Sequence, residues 1–522
     1  MKFLRALCLI ALLIAIALPV YAETQSVKLS GDIIIRGIDR KNYDFNKWNA
    51  NGVSLATRDF NAADANYFMT TTEVQLDADL TDNVSATIRV VNQRDWNVKI
   101  WDNGILYGDC YRYPSDVSNS ASAPGATGSN EEFKIDLDLA YVTLKEFFFA
   151  PLTVKLGRQD LWFGKGFIIG ANGWQDPQHQ LSGDEWSVLN AFDAIRATWD
   201  FAPWTLDAVY AMILENDIGA NDDEQLVGLN LGCDLKQYKN AEAEVYYFVK
   251  DDRSLRKLGH TGAWGPGPGF NGASSAMKEG NVVHTIGARG SFDPHESITI
   301  WAEGAVQVGS YYRGVFQQDE RPRAAGAVDV GGELRLWENQ YAWKPKVGAE
   351  YIFYSGDNLA ENRDNTDHPY NGWDRMYRGK VDSAIHEWYN VLYTNSINTN
   401  DNTYNDRGDT NLHQLIVMGS LQPMDNLSIN GRWIDFWLAA SADTTGGVVG
   451  EGNRHVGDEL DVELNYDYTE DVSFGLLSAW FWSGDHYIIP ETNDEGNLHA
   501  GTADQKAKNV ASELVGTCKV SF

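Results

Sequence analysis

Residues 457–482 read GDELDVELNYDYTEDVSFGLLSAWFW, and this stretch decides the fold of the chain. Apolar and polar side chains alternate in its first half: Leu460 and Leu464 share one face, and Asp461 and Glu463 share the other. After a short Thr-Glu-Asp turn, the alternation resumes and runs to a Trp-Phe-Trp end. Alternation with period two predicts β-strands, and a short turn between two such runs predicts a hairpin.

The same pattern recurs along the chain. Seven further hairpins are predicted at residues 71–91, 133–157, 192–212, 226–249, 284–308, 328–354 and 412–437, with single strands at 27–37 and 511–522. Eight hairpins of two strands each and two single strands give about 18 strands, an even number, as bacterial single-chain barrels require. The sequence therefore predicts an all-β fold: a membrane-spanning, antiparallel, up-and-down β-barrel.

The connections between the predicted strands alternate in length. The turns inside the hairpins are short, whereas the nine connections between them are mostly long and polar: about 39–65, 96–130, 164–189, 215–223, 251–281, 310–325, 355–409, 439–456 and 484–509. A membrane barrel has short periplasmic turns and long extracellular loops, so it predicts this alternation. A soluble β-sandwich, the alternative fold for an aromatic-rich β-protein, gives no reason for it.

Aromatic residues fall near the ends of the predicted strands. Trp199 and Trp204 flank one short turn, and Trp337 and Trp343 flank another. This placement is typical of the aromatic girdles at the two membrane surfaces, although aromatic packing in a soluble core is an alternative. The last residue, Phe522, follows an alternating strand and resembles the terminal aromatic that the barrel-assembly machinery recognises.

The N-terminus has the pattern of a secretory signal peptide. Lys2 and Arg5 precede an apolar run, which ends in the small residue Ala22. We expect residues 1–22 to be a cleaved signal peptide and residues 23–522 to form one barrel domain. A transmembrane anchor is the alternative, but the apolar run is too short for one. A secreted barrel of this kind is expected in the outer membrane of a Gram-negative bacterium, in contact with membrane lipid and lipopolysaccharide.

Composition and motifs argue against several functions. The formal net charge is −31, and loss of the two signal-peptide cations gives −31 − 2 = −33, which makes nucleic acid an improbable partner. The mature chain would keep three widely spaced cysteines and contains no CxxC pair, so neither a disulfide framework nor a metal cluster is expected. The sequence contains no nucleophile elbow, phosphate-binding loop or haem-attachment motif. We expect no cofactor, no bound metal and no enzymatic activity.

Two segments resemble a known family. Residues 155–170 read KLGRQDLWFGKGFIIG, and residues 186–199 read WSVLNAFDAIRATW. A GRQ tripeptide, a glycine-punctuated loop and then FDA-x-R on the next strand resemble the alginate export family of outer-membrane barrels. The residues that match this pattern are Gly157, Arg158, Gln159, Gly164, Phe192, Asp193, Ala194 and Arg196. The resemblance implies an 18-stranded barrel that threads a polyanionic polysaccharide through a lumen lined by basic residues.

Arg196 is the leading candidate for contact with a transported solute. Alternation places Ile195 and Trp199 toward lipid and Arg196 toward the lumen, where a guanidinium can orient an anionic group. The alternative is a structural ion pair, for instance with Asp193. The full set of candidates along the substrate path is Arg158, Gln159, Arg196, Asp193, Arg89, Arg289, Arg335 and Arg432.

The charge of the predicted lumen departs from what a polyanion requires. Among the positions that alternation places inward, acidic residues outnumber basic ones, and a polyanion would be repelled unless the bases cluster at a constriction. The sequence therefore favours a porin-like channel for small polar solutes or a saccharide. A dedicated exporter of alginate or another polysaccharide is one alternative. A structural sheath around a periplasmic or extracellular electron-transfer protein is another.

Overall fold

The computed structural model describes residues 26–42, 65–96, 135–172, 186, 188–215, 223–253, 281–312, 320–336, 342–357, 368–387, 410–440, 454–484, 488–489, 505–506 and 510–522. Residues 1–22 lie outside this set, so the signal peptide stays a prediction. No helix among the described residues is long and apolar enough to cross a membrane.

Eighteen antiparallel strands form one closed barrel, which confirms the predicted fold class. In chain order they are β1 (Ser26–Lys41), β2 (Ala65–Thr81), β3 (Val84–Asp95), β4 (Asp136–Leu144), β5 (Leu152–Gln159), β6 (Phe192–Phe201), β7 (Trp204–Leu214), β8 (Glu224–Leu235), β9 (Ala241–Asp252), β10 (Asn281–His295), β11 (Ile298–Tyr312), β12 (Glu320–Arg335), β13 (Lys346–Tyr354), β14 (Leu412–Met424), β15 (Leu427–Leu438), β16 (His455–Asp467), β17 (Val472–Ser483) and β20 (Val510–Ser521). The two-residue strands β18 (Ile488–Ile489) and β19 (Gln505–Lys506) pair only with each other.

The last strand closes the barrel against the first. Strand β20 pairs with β17 on one side and with β1 on the other. The terminal residue Phe522 exchanges two backbone hydrogen bonds with Gly31, at 2.9 and 3.0 Å. Further along the same seam, Arg40 Nε lies 3.0 Å from Glu513 Oε1. A closed sheet has no unpaired edge strand. The backbone N–H and C=O groups of its strands can therefore all be hydrogen-bonded between strands, as the interior of a membrane requires.

All eight predicted hairpins are present, each as two consecutive strands joined by a short connection. Side chains along these strands alternate between the outer and the inner face of the barrel, as the period-two pattern predicts. Val306 and Val328 on neighbouring strands are exposed on the outer face, whereas Glu303 and Asp329 on the same two strands are buried inside. An apolar outer face and a polar inner face are what a barrel in a lipid bilayer requires.

Two of the long connections do not stay outside the barrel. We call residues 160–172 the first inward segment and residues 368–387 the second inward segment. Their backbones bond to each other: Gly170 N donates to Tyr377 O at 2.7 Å, and Tyr377 N donates to Ile168 O at 3.1 Å. The prediction of outer loops at 164–189 and 355–409 is therefore wrong in part, because residues 164–172 and 368–387 fold into the barrel.

Apolar side chains explain why these segments fold inward. The first inward segment buries Phe167 and Ile169, and the second buries Trp373 and Tyr377. They join a single apolar cluster with wall residues on strands β6 to β17 and β20, among them Phe192, Phe248, Tyr354, Ile416 and Phe481. The barrel therefore holds a packed core inside part of its lumen. Burial of these large side chains stabilises the inward position by about 1.5–3 kcal/mol for each side chain.

Candidate functional site

The first inward segment follows strand β5 and packs against the lumen wall. The ring of Phe163 lies 5.3 Å from that of Phe248, and the guanidinium of Arg196 lies 5.0 Å above the Phe163 ring. Gly164 adopts a left-handed backbone conformation, with φ of +55°. A Cβ at Gly164 would lie only 3.0 Å from Cδ of Arg289, so the glycine lets the backbone rest on this wall arginine.

The second inward segment begins on the inner surface of strand β12. Tyr370 N donates to Pro322 O at 2.8 Å, and the Tyr370 ring stacks on Tyr311 with centroids 3.5 Å apart. Arg323 lies over both rings and donates to the carbonyl of Gly372 at 2.6 Å. A buried guanidinium between two aromatic rings gains from cation–π attraction, so the start of the segment is fixed to the wall.

The middle of the second inward segment is attached to three strands. The side-chain amide of Gln307 donates to Asp374 O at 2.7 Å and accepts from Asp374 N at 2.8 Å. The Asp374 carboxylate lies 3.3 Å from Lys250 Nζ, and Tyr377 donates to Glu224 at 2.6 Å. Burial alone would raise the pKa of Asp374, but the attraction of Lys250 and other cations outweighs burial and lowers this pKa. Asp374 is therefore ionised at neutral pH.

Lys380 of the second inward segment reaches two wall carboxylates, on the neighbouring strands β12 and β13. Its Nζ lies 2.8 Å from Asp329 Oδ2, 2.5 Å from Glu350 Oε1 and 3.4 Å from Asp382 Oδ2. Burial would lower the pKa of Lys380, but the three carboxylates outweigh burial and raise it. Removing one member of such a buried group costs about 3–5 kcal/mol because the other charges lose their partner.

The end of the second inward segment is held by a network of charged and polar groups. Arg378 contacts Glu387 at 3.2 Å, and Gln414 of strand β14 donates to the same carboxylate at 2.7 Å. On strand β16, Glu459 accepts hydrogen bonds from the backbone N–H groups of residues 385–386, at 2.8 and 2.9 Å. The segment thus crosses the lumen and is bonded to the wall at both ends and in the middle.

Of the candidates from the family pattern, Gln159 and Arg196 point inward. Arg196 Nε lies 2.7 Å from Asp207 Oδ1. The expected alternative, a structural ion pair, is therefore present, with Asp207 as partner in place of Asp193. Gln159 is fully buried and donates to the carbonyl of Ala194 at 2.9 Å, which makes it a structural contact between strands β5 and β6.

Arg158 and Asp193 do not line the lumen as expected. They are directly opposite each other on strands β5 and β6, and Arg158 Nη1 lies 3.7 Å from Asp193 Oδ2. Asp193 is exposed between the buried Phe192 and Ala194, on the same face as the exposed Ile195. This face is the outer one. The reason is that Asp193 is two positions from the outward-facing Ile195 and three positions from the inward-facing Arg196, and side chains alternate between the two faces of a strand.

Arg89 and Arg289 lie on the inner wall, and each is paired with carboxylates. Arg89 Nε lies 2.5 Å from Asp138 Oδ2, and Arg89 Nη2 lies 3.7 Å from Asp160 of the first inward segment. Arg289 bonds to Glu244 at 2.9 Å and also to Glu242. Both arginines are therefore held by the wall and also contact the first inward segment.

The two remaining candidates lie on strands β12 and β15. Arg335 is at the short-turn end of strand β12, where it donates to the carbonyl of Glu296 at 2.9 Å and contacts Glu333 at 3.4 Å. Arg432 is on strand β15, directly opposite Asp461 in the ladder. The eight candidates are thus spread over the wall and do not form one site.

Sequence reasoning missed the residues that fill the lumen, above all Lys380, Arg378, Gln307 and Trp162. One feature of the sequence could have indicated Lys380 and Arg378. Residues 370–380 read YNGWDRMYRGK, with three large aromatic residues and three cations. Large aromatic side chains in a connection predict burial, and cations beside them predict buried carboxylate partners.

Comparison with solved structures shows the same architecture. The crystal structure of Acinetobacter baumannii OccAB2 is similar with a TM-score of 0.50 and 9% sequence identity, over 96% of this chain and 99% of that chain. Acinetobacter baumannii OccAB3 is similar with a TM-score of 0.50 and 9% identity, over 95% and 99%. At this identity the likeness shows the fold alone.

No curated protein matches the chain. A family model described as "Alginate export" does match it, over residues 51–498. This match spans most of the barrel and both inward segments, far more than the two short segments that first indicated the family. The chain belongs to the alginate export family of outer-membrane β-barrels.

Proposed function

We propose that this protein is a selective outer-membrane channel that passes small polar solutes or a saccharide through its constricted lumen. One observation carries the proposal: two segments fold into the lumen and are bonded across it to the wall. Barrels of 16 to 18 strands leave an aqueous channel when nothing fills them. Inward segments that are fixed by buried ion pairs narrow such a channel at a defined place, and this provides selectivity.

The charges around the inward segments favour neutral or cationic solutes over polyanions. Lys380 is surrounded by Asp329, Glu350 and Asp382, and Arg289 is paired with Glu242 and Glu244. Carboxylates outnumber cations in both groups. A polyuronate would meet a negative potential there.

The two alternatives fit these contacts less well. Family membership favours export of alginate, but an exporter of a polyanion needs unpaired basic groups at its constriction. A sheath for an electron-transfer protein needs a wide lumen, whereas apolar side chains of both inward segments fill part of this one. We further propose that the apolar outer face contacts outer-membrane lipid and lipopolysaccharide and that the barrel-assembly machinery inserts the chain.

The test is single-channel conductance of the refolded barrel in a planar bilayer, with ion selectivity from a KCl gradient. We expect a steady open pore that prefers cations. The variant Asp160→Asn should reduce that preference, because the Asp160 side chain is exposed and lies beside the inward-facing Arg89. Asp193→Asn is the matched control, since Asp193 is exposed on the outer face.

The opposite results would each overturn the proposal in a recognisable way. A pore that prefers anions and is blocked by oligomannuronate would establish the exporter. A folded barrel that conducts no ions under any voltage would contradict a channel and favour an exporter whose lumen is plugged.

A further inference from the structure

An exposed indole lies inside the lumen where the two inward segments meet. Trp162 is 49% exposed, although it belongs to a segment whose next apolar residues are buried. It contacts Gly379 of the second inward segment, and the adjacent residue Lys380 reaches the buried wall carboxylates Asp329 and Glu350. Trp162 is therefore deep in the barrel and half accessible, at the place where a solute would pass.

Three glycines form the seat of this indole. A Cβ at Gly166, Gly170 or Gly379 would lie 2.5, 2.9 or 2.6 Å from a ring atom of Trp162. No side chain larger than hydrogen fits at these positions unless the ring moves. The indole Nε1 donates to Gly164 O at 3.0 Å, which fixes the rotation of the ring. One part of the indole is thus held by backbone, and the rest is presented to the lumen.

Polar and charged groups surround this platform. Lys165 Nζ lies 3.6 Å above the ring of Trp301, whose own Nε1 lies 3.2 Å from Asp329 Oδ1. A Cβ at Gly164 would lie 3.0 Å from Cδ of Arg289 and 3.5 Å from Oε2 of Glu244, two residues that are paired with each other. Cationic hydrogen-bond donors and anionic acceptors therefore both lie near the exposed indole.

We propose that Trp162 is the stacking platform of a binding site for a neutral pyranose in an oligosaccharide. The apolar C–H face of a pyranose is matched to the electron-rich face of an indole, and its equatorial hydroxyls require donors and acceptors at the rim. A rigid aromatic surface with a few polar groups around it is the usual composition of a small-ligand site. Because the site lies in the lumen, the inference rests on the proposed channel function and narrows its substrate to a saccharide.

The charges beside the platform select a neutral sugar over a uronate. Lys380 and Arg289 are each paired with more than one carboxylate. Lys165, which lies over the Trp301 ring, is attracted by Asp329 and Glu350, so none of the three is an unopposed cation. An anionic sugar would approach Asp329, Glu350 and Glu244 and be repelled. A neutral sugar can donate hydrogen bonds to the partly exposed carboxylates of Glu242 and Glu244, and hydrogen bonds to ionised acceptors are the strong ones.

The experiment measures sugar binding apart from conductance. Maltohexaose, cellohexaose, mannohexaose and hexamannuronate are titrated into the detergent-solubilised full-length barrel by calorimetry. The same sugars are then tested as blockers of its single-channel current. We expect at least one neutral hexaose to bind and the uronate not to bind. Trp162→Leu should weaken that binding about tenfold, and Trp162→Tyr should restore most of it, since an aromatic face is retained.

Trp199→Leu is the matched control, because Trp199 is 41% exposed but lies on the outer face of strand β6. A normal thermal midpoint for each variant shows that it is folded. Equal binding by wild type and Trp162→Leu, or binding of the uronate alone, or binding of none of the four sugars, overturns the proposal. If the sugar binds at Trp162 but no current flows, the channel function fails and the binding site stands. If current flows and no neutral sugar binds, the sugar-binding site fails and the channel function stands.

Discussion

At the scale of single residues, the lumen depends on buried charges that each have more than one partner of opposite sign. Lys380 is the strongest case, because its Nζ lies within 2.8 Å of carboxylates on strands β12 and β13. Such a lysine contributes little net stability compared with an apolar residue, but its loss leaves buried carboxylates without a counter-charge. The contribution of Lys380 to stability is therefore seen most clearly when an uncharged residue replaces it.

We expect Lys380→Met to destabilise the barrel by about 3–5 kcal/mol, or to release the second inward segment at a smaller cost. Urea unfolding monitored by tryptophan fluorescence, together with single-channel conductance, distinguishes the two results. Lys346→Met is the control, since its Nζ lies 3.7 Å from Glu333 in an exposed pair that contributes about 0–1 kcal/mol. Equal effects of both substitutions would contradict the role given to Lys380.

A glycine substitution tests the seat of Trp162. In Gly379→Ala, the new Cβ would lie 2.6 Å from the Trp162 ring and 2.7 Å from the backbone of Gly170, so one of the inward segments must shift. We expect a lower thermal midpoint and weaker sugar binding. Gly516→Ala adds the same methyl group where nothing lies within 4 Å, and it should change neither quantity.

At the scale of elements, a connection becomes part of the lumen when its backbone finds partners there. The second inward segment has no regular strand or helix of its own through most of its length, yet Gln307 satisfies both the N–H and the C=O of Asp374. Glu459 similarly accepts the N–H groups of residues 385–386. Irregular backbone at membrane depth is stable when the protein interior supplies these bonds.

Gln307→Ala should loosen the second inward segment without unfolding the barrel. The two hydrogen bonds to Asp374 are lost, and each contributes about 0.5–1.5 kcal/mol. Larger or noisier single-channel current is the expected result. The control is Gln75→Ala, which removes an amide whose partner among the described residues is Asp77, at 2.9 Å on strand β2. Unchanged current in Gln307→Ala would show that the second inward segment stays in place without these two hydrogen bonds.

At the scale of the whole molecule, the outer face divides by depth. Val306 lies near the middle of strand β11 and is 54% exposed, whereas Val27 lies at the beginning of strand β1 and is 59% exposed. The two side chains are equally accessible in the isolated protein. In a bilayer, the first faces hydrocarbon and the second lies near the interface.

Arginine substitutions at these positions test the membrane orientation. Val306→Arg should cost about 2–4 kcal/mol when the barrel is unfolded from lipid vesicles, and Val27→Arg about 0–1 kcal/mol, because the cost of a charge falls toward the interface. The matched measurement in detergent micelles should show a smaller difference. Equal costs in vesicles would contradict the assigned depth of strand β11.

The barrel itself was predictable in detail from the sequence. Alternation in stretches such as 457–482 depends only on neighbouring residues, and all eight hairpins follow from it. Alternation also assigned Arg196 and Arg289 correctly to the inner wall. Arg158 and Asp193 match the family pattern, but the alternation that points Arg196 inward points these two residues outward.

The sequence by itself determined the strand count, the hairpin order and the two faces, because period two is a local property of the chain. Only the tertiary structure decided what fills the lumen. Trp162, Gly379 and Lys380 are far apart along the chain or lie in connections without periodicity, and their contacts exist only after the barrel has closed. Closure gives the polar backbone and the buried cations of the inward segments partners on distant strands, and no local pattern encodes which strands these are.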